Sequence, residues 1–228
     1  MKKANDLFRS YELLVDKAEA AFQGVQKDHN SCIKCEPHCS DCCHAIFGLF
    51  LIEAGYLKEQ FDKLTDEEKK AALLRGEEAK KSLERLQNML QAHEGDPQMQ
   101  AYIMSRERIP CPLLNENQDC ILYPYRPITC RVYGIPTKVQ GKARVCWKAE
   151  FKKDERYPVF DLDGVYRDLY FLSTELLKSA GKDDPEKASL LISVSKAITT
   201  SLEDLLRQKL AEPSKAQRCG PPGSSQRF

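Results

Sequence analysis

The sequence predicts a mainly α protein in which helices surround an irregular cysteine-rich metal-binding region with at most a short strand pair. Three observations support this: apolar residues recur at helical spacing over long stretches, prolines fragment residues 110–136, and most of the ten cysteines fall into two groups. The length of 228 residues suits one domain, which we place at residues 1–211. Residues 212–228 are rich in Pro, Gly and Ser and are expected to form a disordered tail.

Each predicted helix has its own local signal. The first carries apolar residues such as Leu7, Tyr11 and Leu14 on one face, and the second is apolar on nearly all sides and should be buried. Thr65 with Glu68 forms a capping-box pattern at the start of the third. The predicted spans are Asn5 to about Gln23, Ala45 to Phe61, Thr65 to about His93, Leu162 to Ala180, and Asp184 to Leu206.

The remaining boundaries follow from glycine and proline. Gly95 and Pro97 should end the third helix, Gly181 should stop the fourth, and Pro185 suits the first position of the fifth. Between the third and fourth helices, the sequence NENQD has turn composition. The flanking CPLL and CILY segments are therefore expected to form the short strand pair.

Charge and hydropathy exclude several function classes. The chain has 35 basic and 34 acidic side chains, so no overall field steers it towards nucleic acid or an anionic membrane. The longest apolar run, Ala45 to Ile52, is far below the roughly 18 residues that span a bilayer. The N-terminal residues become charged at once and do not resemble a secretory signal. We therefore expect a cytoplasmic protein that binds neither nucleic acid nor membrane.

The cysteines are the outstanding feature of the composition. Five lie within Cys32–Cys43, a looser group follows at Cys111, Cys120, Cys130 and Cys146, and Cys219 stands alone. In a reducing compartment, such crowded thiols indicate metal ligands or redox groups, because disulfides do not persist there. Adjacent Cys42 and Cys43 are also poorly placed to bridge each other. A centre bound by both groups would join distant parts of the chain; its donors suit zinc and iron–sulfur clusters alike.

Both groups resemble a known family. The first group, Cys35-Glu-Pro-His-Cys39-Ser-Asp-Cys42-Cys43, resembles the signature of the CxxCxxCC cysteine-cluster proteins, also called YkgJ-type zinc- or iron-chelating proteins. The second, from Cys111-Pro-Leu-Leu to Cys120-Ile-Leu-Tyr-Pro-Tyr-Arg126-Pro-Ile-Thr-Cys130-Arg131, is similar to that family's second motif. Three residues instead of two separate Cys35 from Cys39, a variation that resembles the cluster segment of flagellin lysine N-methylase.

The resemblance implies metal or iron–sulfur binding and a set of ligands. We expect the ligands to be Cys35, Cys39, Cys42, Cys43, Cys111, Cys120 and Cys130. Arg126 and Arg131 are expected to bind the centre by offsetting the thiolate charge, or else to form ordinary salt bridges with acidic helices. Whether Cys32 and Cys146 are ligands stays open, and His38 and His44 are expected to be solvated loop residues.

Three functions follow from this ligand set. The first is a protein that holds an iron–sulfur cluster, most simply [4Fe–4S], for electron transfer or redox sensing with a protein or redox partner. The second is a structural-zinc protein whose helices recruit a partner. The third is an enzyme, either an oxidoreductase or a protein-lysine methyltransferase by analogy with the related methylase. The spacing Cys35, Cys39, Cys42 also occurs in radical enzymes, but their surrounding α/β barrel is not predicted here.

Overall fold

The computed structural model describes residues 2–36 and 38–207 as a mainly α fold, which confirms the predicted fold class. In chain order the helices and strands are α1 (Lys2–His29), α2 (Leu51–Phe61), α3 (Asp66–Ala92), α4 (Pro97–Arg106), α5 (Ile128–Arg131), β1 (Thr137–Val139), β2 (Lys142–Arg144), α6 (Leu162–Ser179), α7 (Pro185–Ser189), α8 (Val194–Thr199) and α9 (Leu202–Arg207). The two strands pair antiparallel. The expected tail at 212–228 lies outside the described residues.

Helix α2 lies at the centre of the core. Helices α1, α6, α8 and α9 all pack against it. Leu51, Ile52, Leu57 and Phe61 are each at most 2% exposed, so this helix buries apolar side chains in several directions. The all-round apolar sequence that predicted a buried helix is thereby explained, because four helices pack around α2 and leave only Glu59 exposed.

The capping box at the start of α3 is present as predicted. The Glu68 backbone N–H donates to Thr65 Oγ1 at 3.3 Å, and the Thr65 backbone N–H donates to Glu68 Oε2 at 3.0 Å. These two bonds satisfy backbone donors that the first helical turn leaves free. Ala72 and Ala79 are buried, and the helix packs against α8. Helix α3 thus forms one wall of the region that contains the cysteines.

Three predicted helices are wrong in extent: α1 continues to His29 instead of ending near Gln23, and two others differ for one shared reason. Residues 45–50 are not helical, because Leu49 and Ile192 exchange two backbone hydrogen bonds of 2.8 Å. The two segments lie so close together that a Cβ on Gly48 would be 2.4 Å from Leu191 Cβ. The same pairing separates α7 from α8 within the single helix predicted over 184–206, and extended backbone at Thr200 separates α8 from α9. Ser193 begins α8 by accepting the Lys196 N–H at 3.2 Å.

The chain between α3 and α6 also differs from the prediction. Helix α3 ends at Ala92, before Gly95 and Pro97 as predicted, but Pro97 also begins the further helix α4, where Asp96 caps the first turn. The strand pair expected around NENQD is reduced to a single bridge between Leu114 and Cys120. The short hairpin forms later, at β1 and β2. Within the described ranges, no helix combines the length and apolar composition needed to cross a bilayer.

Candidate metal centre

The first cysteine group lies in an irregular segment that follows α1. A short 3₁₀ helix, Asp41–His44, carries Cys42 and Cys43. Its turn is closed by a hydrogen bond of 2.9 Å from the Cys43 N–H to the Ser40 carbonyl. This turn therefore places two adjacent thiols, those of Cys42 and Cys43, close together.

The second cysteine group is held together by a turn. Asn115 Oδ1 accepts the backbone N–H groups of Asn117 and Asp119 at 3.0 and 2.9 Å. This turn reverses the chain, so that Cys120 pairs with Leu114, which follows Cys111 by three residues. Cys111 and Cys120 are thereby brought to the same side of the loop.

Cys130 reaches the same region from the short helix α5. The first N–H of this helix, that of Ile128, donates to Glu53 Oε1 at 3.2 Å. Glu53 belongs to the buried helix α2 and is itself only 3% exposed. The core of the protein therefore fixes the position of the helix that carries Cys130.

Cysteines of both groups converge on one cavity. The Cys111 backbone N–H donates to the Cys43 carbonyl at 2.7 Å, which joins the two segments directly. The cavity has a volume of about 70 Å³. The thiols that line it are those of Cys42, Cys43, Cys111, Cys120 and Cys130. This arrangement offers an all-sulfur donor set drawn from residues that are up to 88 positions apart in the sequence.

The rest of the cavity wall is mostly apolar. Its lining includes Ala45, Ile46, Phe47, Ala79, Leu83, Ile109, Leu113 and Val194, together with Ser193 and Ser195. Ala79 and Ile109 are buried and belong to a small apolar cluster beside the main core. Apolar walls limit the access of water to the thiols, and this raises the cost of ionising them.

The thiol pKa values show that cost. Burial raises the pKa of Cys111 to about 12 and that of Cys120 to about 11. Cys42 behaves oppositely, because hydrogen bonds from the Cys130 and Cys43 thiols lower its pKa. The same bonds raise the pKa values of Cys130 and Cys43. A bound cation would remove this penalty, since it deprotonates the thiols that coordinate it.

The two predicted arginines occupy different places. Arg126 lines the cavity, and its guanidinium lies 3.9 Å from the centroid of the Tyr123 ring. Its Nη2 pairs with Glu19 at 3.4 Å, while its Nε is buried and has no hydrogen-bond partner among the described residues. Its charge also contributes to lowering the pKa of Cys42, after the thiol hydrogen bonds.

Arg131 is buried behind this loop. Its Nε donates to the Arg126 carbonyl at 2.8 Å, and its two Nη groups donate to the Pro124 carbonyl and to Glu19. Arg131 therefore holds the backbone that presents Arg126. Both arginines form ion pairs with Glu19 of α1, which was one of the two expectations. Their action on a bound centre stays a prediction.

Cys35 and Cys39, also predicted as ligands, do not line the cavity. Cys35 is exposed, yet its sulfur lies against Gly134, where a Cβ would be 2.2 Å away. Desolvation of this sulfur, followed by the nearby Cys39 and Cys42 thiols, raises the pKa of Cys35 to about 12. Both residues therefore lie beside the five-thiol cavity, and their role as ligands stays a prediction.

The residues left open by the sequence lie further out. Cys146 is buried and its thiol donates to Asp41 Oδ2 at 3.4 Å, whereas Cys32 accepts the Glu150 N–H through its carbonyl. His38 lies 3.1 Å from Asp119, and His44 Nδ1 lies 2.9 Å from the Ser40 carbonyl. Over residues 2–36 and 38–207, no three His, Cys, Asp or Glu side chains are already gathered closely enough to form a ready-made ion site.

Comparison with known families decides the class of protein. A model of the CxxCxxCC family, described as "Putative zinc- or iron-chelating domain", matches residues 34–150, more than half of the chain. The chain belongs to the CxxCxxCC family. No curated protein and no solved structure gives a match. All seven cysteines predicted as ligands lie within the matched span, as do Arg126 and Arg131, while Cys32 lies just outside it.

Sequence reasoning missed three residues that shape this CxxCxxCC site. Asp41 and Glu53 are buried carboxylates that tie the cysteine segments to each other and to the core. Gly134 leaves room for the Cys35 sulfur. A signal existed for Glu53, since it is the only charged residue between Ala45 and Leu57. Its place in an apolar run indicates burial, and a buried carboxylate needs specific partners.

Proposed function

We propose that this CxxCxxCC protein binds a [4Fe–4S] cluster in the five-thiol cavity, with ligands drawn from Cys42, Cys43, Cys111, Cys120 and Cys130. The observation that carries the proposal is the convergence of thiols from residues 42–43 and 111–130 on one cavity. Four thiolates suffice for one cluster. Cys35 and Cys39, which lie beside the cavity, remain available for a second ion.

The chemistry of the donor set fits such a centre. An all-sulfur set suits both iron–sulfur clusters and zinc, in agreement with the family description. One feature favours the cluster over a single zinc ion. The number of thiols does not separate the two, because each takes four thiolates, but the cavity volume of about 70 Å³ exceeds the space that one ion occupies.

The chain's own residues would prepare the site in three ways. The thiols would give up their protons to become ligands, and the apolar wall from α3 and α8 would exclude water. Arg126 would reduce the net negative charge, which is about −2 for four thiolates around an oxidised cluster. Its buried, unpartnered Nε would donate a hydrogen bond to sulfur. Arg131 would serve the centre through the loop that it holds.

When bound, the cluster would supply one-electron redox chemistry. Electron transfer or redox sensing with a redox partner is the role that we propose for the protein. The apolar wall suits this role, because burial and hydrogen bonds to sulfur set the potential of a cluster. We further propose that the protein acts in the cytoplasm, where its thiols stay reduced.

Anaerobic purification followed by absorption spectroscopy and metal analysis tests the proposal. We expect a brown protein with broad absorption near 400 nm and about four iron atoms per chain. The double variant Cys111→Ser/Cys120→Ser leaves three thiols in the cavity and should lose most of this absorption, whereas the control Cys32→Ser, which alters a thiol outside the cavity, should keep it. A colourless protein with stoichiometric zinc would instead support the structural-zinc function. Absence of any bound metal from an anaerobic sample would overturn both.

A further inference from the structure

Asp41 is a buried carboxylate next to the proposed metal ligands. It is 5% exposed, and it lies directly before Cys42 in the 3₁₀ helix Asp41–His44. Removing a carboxylate from water costs several kcal/mol unless partners compensate it. An irregular surface loop has no need for such a residue in order to close its turn, so the partners of Asp41 indicate its role.

Those partners come from two distant segments. Arg108 Nη2 donates to Asp41 Oδ1 at 2.7 Å and to the Asp41 backbone carbonyl at 3.0 Å. Trp147 Nε1 donates to Oδ1 at 3.2 Å, and the Cys146 thiol donates to Oδ2 at 3.4 Å. Arg108 comes three residues before Cys111. Asp41 thus joins both cysteine groups at a point outside the cavity.

These contacts do not make Asp41 a metal ligand. Both of its carboxylate oxygens already accept hydrogen bonds, and the Arg108 guanidinium supplies the opposing positive charge. A cation placed on the same carboxylate would be repelled by Arg108. These contacts fix the backbone at Asp41. They therefore also set the orientation of the next two residues, Cys42 and Cys43.

We propose that Asp41 is a positioning residue: its hydrogen bonds with Arg108 and Trp147 hold Cys42 and Cys43 towards the cavity. This role rests on the proposed metal binding. Residues that orient metal ligands typically change metal affinity by 10- to 100-fold when they are altered. Asp41 also connects the site to Trp147, the only tryptophan in the sequence, because the Trp147 indole N–H donates to the Asp41 carboxylate.

The test compares Asp41→Asn with the wild-type protein and with a control, Asp163→Asn. Asp163 is a suitable control, because it also accepts two hydrogen bonds, from the Gln140 and Gly141 N–H groups, but at the distant hairpin turn. Zn²⁺ is the probe, since it has no absorption that would quench tryptophan by itself. Each protein is loaded anaerobically with Zn²⁺, and its release to a coloured chelator is timed well below the unfolding temperature.

We expect Asp41→Asn to release Zn²⁺ at least 10-fold faster than wild type, and Asp163→Asn to release it at the wild-type rate. Loading should also change the emission of Trp147 in the wild-type protein and in Asp163→Asn, but much less in Asp41→Asn. If Asp41 only stabilised the fold, Asp41→Asn would lower the unfolding temperature, but its Zn²⁺ release rate and its change in Trp147 emission would match those of Asp163→Asn.

Two outcomes distinguish this inference from the function on which it rests. If wild type takes up Zn²⁺ and Asp41→Asn releases it at the same rate, the positioning role is overturned while metal binding stands. If wild type takes up neither Zn²⁺ nor iron, metal binding itself fails, and the positioning role fails with it. Circular dichroism of each variant establishes that the helices are intact before the rates are compared.

Discussion

Glu53 accepts the backbone N–H of Ile128 across 75 positions of sequence, at 3.2 Å between Ile128 N and Glu53 Oε1. Its other oxygen accepts the Phe50 N–H at 3.3 Å. One buried carboxylate therefore satisfies free N–H groups at the starts of both α2 and α5. Because α5 carries Cys130, this side chain connects the centre of the core to the proposed metal site.

The Glu53 carboxyl should make the stability of the protein depend on pH. Burial raises its pKa to about 7, despite the hydrogen bonds that favour the charged form. Between pH 4.5 and pH 7 the folded protein then holds a proton that the unfolded chain has released. Its contribution to the free energy of unfolding therefore falls as pH rises through this window, and levels off above it.

We expect Glu53→Gln to remove this contribution. The shift corresponds to about 3 kcal/mol between pH 4.5 and pH 8. Urea unfolding of wild type and variant at several pH values measures it, because the difference between the two curves cancels the effects of other groups. The difference between the two free energies of unfolding should change by roughly 1–3 kcal/mol between pH 4.5 and pH 8. Parallel curves would show that Glu53 ionises at its ordinary pKa.

A side chain at Gly134 should fit only if the Cys35 sulfur moves away. A Cβ at this position would lie 2.2 Å from the Cys35 sulfur, far inside van der Waals contact. Gly134→Ala should therefore lower the free energy of unfolding by about 1–3 kcal/mol, the usual cost of overpacking. Thermal unfolding followed by circular dichroism gives the value.

Two further variants establish the cause of the Gly134 effect. Gly24→Ala is the matched control, since nothing lies within 4 Å of a Cβ there and the site is within α1. It should stabilise the protein by about 0.5–1 kcal/mol. In a Cys35→Ala background, Gly134→Ala should lose most of its cost. An equal cost with and without the Cys35 sulfur would contradict the proposed contact.

Local sequence signals predicted the fold where the decisive interactions are local. The capping box of Thr65 and Glu68 lies within one turn of α3, and the apolar composition of α2 is a property of the segment itself. The error over residues 184–206 has a long-range cause. Ile192 leaves the helical conformation to pair with Leu49, a partner that no window around residue 192 contains.

The candidate site was predictable in its donors but not in its supports. Motif spacing grouped the cysteines, and five of the seven predicted ligands line one cavity. It could not indicate that Cys42 and Cys43 line the cavity while Cys35 lies beside it, since this depends on the path of the chain past Gly134. Asp41 likewise carries no local sign that Arg108 will pair with it.

Arg126 and Arg131 should both support metal retention, by different means. Arg126→Met removes the positive charge and the unpartnered Nε at the cavity, so the reduction potential of a bound cluster should become more negative. Arg131→Met removes the donors to the Arg126 and Pro124 carbonyls, so metal should be lost faster while the helices remain folded.

Potentiometric titration and iron-release rates separate the two arginines. Arg144→Met is the control, because Arg144 also has a buried, unpartnered Nε but does not line the cavity. It should alter neither quantity. Unchanged potential in Arg126→Met, or unchanged retention in Arg131→Met, would remove that residue from the proposed site.

Metal uptake should release protons, and should therefore strengthen as pH rises. With pKa values of about 12 and 11, Cys111 and Cys120 are protonated at pH 7 in the metal-free protein, so each must lose its proton in order to bind. The apparent Zn²⁺ affinity should rise about tenfold per pH unit for each proton released. Zn²⁺ titration in weakly buffered solution with a pH indicator counts these protons. The double variant Cys111→Ser/Cys120→Ser leaves three cavity thiols and should release about one proton fewer than wild type, whereas Cys32→Ser should match wild type. Equal counts in all three proteins would show that neither Cys111 nor Cys120 binds the ion.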